Sequence, residues 1–115
     1  MKLEINEIKE RGTLEERIVF IVKEDCDIGK YLVFTTKMNS ETKFSSSVRD
    51  AYWFPDKSVK KGDLIALYSR KGDNSFKVNT DNTTSHFFFR NLLNPILTTG
   101  NLALLIEAST WKLER

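Results

Sequence analysis

Apolar residues along this chain fall in short alternating runs cut by turn residues, and no segment keeps a helical period. The pattern predicts strands, beginning with a modest one at 3–8 that sets Leu3 and Ile5 on one side. "RIVFIVKE" (17–24) places Ile18, Phe20 and Val22 on one face and Val19 and Ile21 on the other, as in a central, covered strand. "DCDIGK" (25–30) reads as a turn, with Gly29 able to take positive φ. "KYLVFTTK" (30–37) is rich in β-branched and aromatic residues and predicts another strand. The polar, Ser-rich stretch 38–50 predicts a long surface loop with an edge strand near Phe44. "AYWF" (51–54) is a short strand that stops at Pro55, whose missing N–H bars it from the middle of a ladder.

In "LIALYSR" (64–70), Leu64, Ala66 and Tyr68 share one face and Ile65 and Leu67 the other. Lys61-Gly62-Asp63 and Lys71-Gly72-Asp73 bracket that strand with turn chemistry. Residues 71–84 read mostly as loop. "SHFFFR" (85–90) sets Phe87 and Phe89 against Phe88, and Pro95 prevents a long helix over 91–101. "LALLIEA" (102–108) predicts a last strong strand with Leu102, Leu104 and Ile106 inward, and "TWKLE" (110–114) closes the chain. About seven strands at this spacing predict an all-β fold, a β-sandwich filling 1–115 as a single domain.

Within that frame, "WFPDKSVKKGDLIALYS" (53–69) and "LTTGNLALLIEASTWKLE" (97–114) resemble the lamin tail domain. The first has a Phe-Pro turn, an apolar residue (Val59) before a Gly-centred turn, and then an apolar strand. The second is similar to that family's closing hairpin, and residues 17–36 fit its first hairpin less specifically. The resemblance implies an immunoglobulin-like sandwich and a binding or scaffolding module with no catalytic residues to transfer. The sequence departs from the family where its Glu-rich strand and Gly-Trp are expected. Lys30-Tyr31-Leu32 and the Ser-rich loop stand there instead, which leaves the strand order open.

Composition narrows the chemistry. The 115 residues are 40% hydrophobic and 30% charged, globular proportions, and the net charge of +2 does not demand a polyanionic partner. The single cysteine, Cys26, precludes an internal disulfide, and the N-terminal residues carry no apolar targeting core, so a cytoplasmic setting is expected. No apolar run reaches the roughly 20 residues of a membrane helix. Asn82-Thr83-Thr84 is a glycosylation sequon in form only.

Catalysis would need Cys26 or a serine beside His86, the only histidine. Cys26 sits among Glu24, Asp25 and Asp27, whose charges disfavour a thiolate. One His and one Cys do not make a four-ligand zinc site, and the acidic turn lacks the ligand ladder of a calcium loop. No enzyme activity, metal or small-molecule cofactor is therefore expected, with a small hydrolase the third-ranked alternative.

Binding is the leading expectation. Tyr52, Trp53, Lys57, Lys60, Lys61, Arg70 and Lys71 form the candidate macromolecule-binding set. The partner expected first is a protein, or a second copy pairing through an edge strand. The alternative is single-stranded nucleic acid, with lysines on phosphates and aromatics stacked on bases. The bland reading competes: Trp53 and Phe54 plug the core, and the lysines keep turns soluble and edges unpaired.

Overall fold

A computed structural model describes residues 1–38 and 47–115. Its strands are β1 (Leu3–Lys9), β2 (Arg17–Val22), β3 (Cys26–Asp27), β4 (Tyr31–Lys37), β5 (Arg49–Trp53), β6 (Ser58–Val59), β7 (Leu64–Tyr68), β8 (Ser75–Val78), β9 (Thr84–Phe89) and β10 (Asn101–Glu107). A three-residue 3-10 turn, Ile28–Lys30, is the only helical element among the described residues. The fold is all-β, as the alternating runs predict. Among the described residues there are ten strands in place of the expected seven or so, because β3, β6 and β8 are only two to four residues long.

The strands form a five-stranded sheet in the order β1-β2-β7-β9-β8, a three-stranded sheet β10-β4-β5, and a small ladder β3-β6. β7 and β9 run parallel, whereas the other ladders are antiparallel. That pair departs from the all-antiparallel immunoglobulin pattern. It arises because β8 and β9 form a hairpin whose second strand lies between β7 and β8. The hairpin turn is built by Asn79 and Thr83, with Asp81 accepting from the Thr83 N–H and hydroxyl. The predicted loop over 71–84 is thus corrected: β8, Ser-Phe-Lys-Val, is an edge strand, missed because four alternating residues are too few to stand out within a polar stretch.

The two larger sheets pack face to face. Ile18, Phe20, Val22, Ile65, Leu67 and Phe88 point in from one, and Tyr31, Val33 and Phe54 from the other. Phe54 sits edge-on to both Phe20 and Phe88, with centroids 5.6 and 5.3 Å away, a geometry aromatic quadrupoles favour.

Two local predictions also change. Gly29 does not take positive φ. It is glycine because a Cβ there would lie 2.0 Å from Asp56 Oδ1 and 2.9 Å from Asp56 Cα. In β10 the inward residues are Ala103 and Leu105, which pack on the core. Leu102, Leu104 and Ile106 pair with Thr36, Phe34 and Leu32 and lie on the outer face. Alternation gives two sets of apolar positions here, and only the register with β4 selects between them. The predicted edge strand near Phe44 lies outside the described residues.

One buried acid ties the loops at one end of the sandwich together. Glu16 is fully buried and accepts from the N–H groups of Gly12, Ile96 and Leu97 and from the Ser69 hydroxyl. The segment after β9 has no regular structure of its own, so these bonds give its buried amides their partners.

Candidate binding surfaces

The seven residues singled out from the sequence do not form one surface. Tyr52 points inward from β5, edge-on to Phe54 at 5.2 Å, with the Arg90 guanidinium 5.8 Å from its ring. Burial pushes its phenol pKa up, and the Arg90 charge opposes that. Trp53 points the other way; its indole N–H donates to the Gly29 carbonyl at 2.6 Å. Lys57 lies 4.9 Å from the Phe76 ring centroid and 5.8 Å from that of Phe88. Lys60 pairs with Asp25 at 3.5 Å, and the Lys61 N–H donates to the same carboxylate. That N–H, followed by the Lys60 charge, holds Asp25 below its ordinary value.

Arg70 and Lys71 follow β7, whereas Lys60 and Lys61 precede it. A five-residue strand, about 17 Å long, separates the two groups. Sequence proximity grouped residues that a strand holds apart.

The acidic turn does structural work as well. Asp27 Oδ1 accepts from the Gly29 N–H at 2.8 Å and the Lys57 N–H at 3.0 Å, so it joins the 3-10 turn to the segment before β6. Cys26 has its thiol pKa raised, first by burial and then by Asp27, Glu107 and Asp25, with Lys2 opposing. His86 has a partner that the sequence did not reveal. Its Nε2 lies 3.0 Å from Asp63 Oδ2, and both residues are buried. Burial alone would raise the Asp63 pKa. Hydrogen bonds from His86 and from the Thr84 and Lys60 N–H groups outweigh it and leave the carboxyl below its usual value.

Two outer sheet faces emerge that the sequence reading did not isolate. On the five-stranded sheet, the ladders align Lys9, Arg17, Tyr68 and Phe89 in one row. Glu7, Val19, Ala66, Phe87 and Ser75 form the next. Tyr68 and Phe89 stack at 5.0 Å with 16° between their planes. Arg70 lies 4.9 Å from the Tyr68 ring and 5.1 Å from the Phe89 ring, and Arg17 lies 5.6 Å from Tyr68. Arg70 also pairs with Glu15 at 3.2 Å, and Lys9 with Glu7 at 3.6 Å. Beside the rings is a hollow of about 170 Å³ lined by Lys9, Arg17, Val19, Ala66, Tyr68 and Phe87 among others. It is smaller than the roughly 300–1,000 Å³ of drug-sized ligand sites.

On the three-stranded sheet, the outward positions are Leu102, Leu104 and Ile106 of β10, Leu32, Phe34 and Thr36 of β4, and Ala51 and Trp53 of β5. None is charged. Trp111, past the end of β10, packs edge-on to Trp53 at 5.0 Å. Trp53 is 42% exposed, Ile106 38% and Trp111 57%. The signal was present in the alternation of β4 and β10, but it does not say which set of residues faces water.

Among the described residues no helix is long and apolar enough to cross a membrane. No family model matches the chain, and no curated protein matches it.

Proposed function

We propose that this chain is a non-enzymatic binding module that docks a protein partner on the outer face of its three-stranded sheet. The observation that carries the reading is the uncharged face formed by Leu32, Phe34, Trp53, Leu102, Leu104 and Ile106. A sheet face meant for water alternates apolar-in with polar-out; this one is apolar on both sides. The two tryptophans alone leave about 250 Å² in water, taking a whole indole side chain as about 250 Å². Burying it yields about 6 kcal/mol gross, comparable with the cost of association itself. The aliphatic residues beside them are therefore needed for net binding.

A lamin-tail-like identity, with the parallel β7–β9 pair as its departure from the immunoglobulin pattern, and a cytoplasmic setting belong to the same proposal. The run from Phe54-Pro55 through buried Val59 and the Gly62 turn into β7 supports the first, and the unpaired Cys26 thiol the second. Burial of the only histidine, held against Asp63, supports a non-enzymatic role.

Both tryptophans of the chain lie on the docking face, so a partner seated there changes their emission. A partner retained from lysate on immobilised protein, purified and titrated back, shifts that emission to the blue. Leu104→Ser abolishes its retention. A partner that leaves the emission unchanged and binds the variant equally well refutes the reading.

The stacked Tyr68–Phe89 pair flanked by Arg17 and Arg70 favours a second reading, single-stranded nucleic acid on the opposite sheet. Fluorescence anisotropy with a labelled oligothymidine at low salt tests it. Salt-sensitive binding lost in Arg17→Ala/Arg70→Ala supports this face. Loss in Lys60→Glu/Lys61→Glu alone points to the turn before β7, and no binding by the parent removes nucleic acid altogether.

A further inference from the structure

Sheet edges offer unpaired backbone groups, and soluble proteins normally protect them with charge, proline, bulges or short length. Three of the four edges of the two larger sheets are protected in this way among the described residues. β1 has a register shift between Ile5 and Glu7 and carries Glu4, Glu7 and Lys9. β8 has four residues and includes Lys77. β5 carries Arg49 and Asp50, has a register shift against β4 and ends before Pro55.

Among the described residues, β10 has none of these devices from Leu102 to Ile106, and its one charge is the terminal Glu107. It is seven residues long, keeps an unbroken register with β4, and is apolar from Leu102 to Ile106. Two flanking bonds, Met38 N–H to Gly100 O and Ala108 N–H to Lys30 O, show which residues face β4. By antiparallel alternation the even-numbered positions bond β4, so the N–H and C=O groups of Ala103, Leu105 and Glu107 face the open edge. At its start the edge is closed: the Asn101 N–H bonds Thr98, and Arg11 donates to the Asn101 carbonyl. Along the open part runs a hollow of about 460 Å³ lined by Met1, Leu3, Glu4, Ile5 and Leu105.

We propose that two copies of this chain pair through β10, antiparallel about a two-fold axis at Leu105, to form one continuous sheet β5-β4-β10-β10-β4-β5. This register uses the open groups and no others. Ala103 exchanges hydrogen bonds with the partner's Glu107, Leu105 with the partner's Leu105, and Glu107 with the partner's Ala103. It sets no like charges opposite each other and keeps outward residues beside outward ones, Leu104 against the partner's Ile106. The hollow takes the inward side chains of the added strand. A two-fold edge contact closes on itself, so association stops at the dimer. The pairing rests on the backbone edge and does not depend on the docking reading of the outer face.

Light scattering after size exclusion, with loading up to about 1 mM, tests the pairing. The expected mass is twice that of one chain. Ala103→Pro removes an N–H that β4 does not use, so it yields a monomer with an unchanged far-ultraviolet spectrum. Trp111→Ser, on the outer face, leaves the dimer intact. In the wild-type protein, amide exchange at Ala103, Leu105 and Glu107 slows as concentration rises, and this measurement decides the matter if Ala103→Pro fails to fold. A monomer throughout the concentration range overturns the proposal. So does a dimer that survives Ala103→Pro, or one whose edge amides exchange freely.

Discussion

Replacing Glu16 by alanine is the sharpest test of how the loops are held. The carboxylate is fully buried and satisfies the amides of Ile96 and Leu97 and the Ser69 hydroxyl in the interior, as well as the Gly12 amide near the surface. Removing it strands those interior donors, each at about 1–3 kcal/mol, while Gly12 turns to water. The expected loss is about 4 kcal/mol, a large share of the roughly 5–15 kcal/mol that keeps an ordinary domain folded. For a chain of this length that is about 15 °C in melting temperature. Glu16→Gln keeps the volume and one acceptor but turns an amide NH₂ toward donors, so it falls between, at about 2 kcal/mol. Urea unfolding followed by far-ultraviolet circular dichroism gives both values by linear extrapolation. A Glu16→Ala protein melting within about 3 °C of wild type would refute the reasoning, because the amides would then have other partners.

The remaining predictions concern Asp63, Gly29 and Gly72. The folded Asp63 carboxyl lies below its ordinary value of 3.8, so its stabilisation is complete above that value and is lost as pH falls below it through the lower folded pKa. Asp63→Asn therefore lowers stability at neutral pH and flattens the acid limb of a stability–pH curve; an unchanged acid limb would contradict the assignment. Gly29→Ala drives a Cβ into the Asp56 backbone and costs about 1–3 kcal/mol in urea unfolding. Because Trp53 bonds the Gly29 carbonyl, tryptophan emission shifts in the same variant. Gly72→Ala puts a Cβ 2.5 Å from the Phe89 ring, so the ring leaves its stack on Tyr68, and ring-current shifts in the proton spectrum report the change.

The functional reading and the edge pairing converge on the same small sheet. Its outer face and its β10 edge present apolar and backbone groups to water, while the five-stranded sheet protects both of its edges. The proposed pairing through β10 would join the two apolar faces into one surface twice as wide, which suits a large partner better than a small ligand.

Alternation and turn chemistry determined the all-β class and placed β1, β2, β4, β5, β7, β9 and β10 within a few residues, because the period of two is a local property of the chain. They also excluded a long helix over 91–101 and set Phe87 and Phe89 against Phe88. What they left open was every choice that depends on a neighbour distant in sequence. A strand apolar on both faces, such as β10, names two candidate cores, and only its register with β4 assigns Ala103 and Leu105 inward. Glu16 reads as one more charge in a polar turn until residues 80 positions away bring their amides to it. Asp63 and His86 meet for the same reason, across 23 residues and two strands. Lys60 and Lys61 stand close to Arg70 and Lys71 in the chain, but β7 lies between the two groups as a rigid spacer, so contact followed the fold and not the sequence.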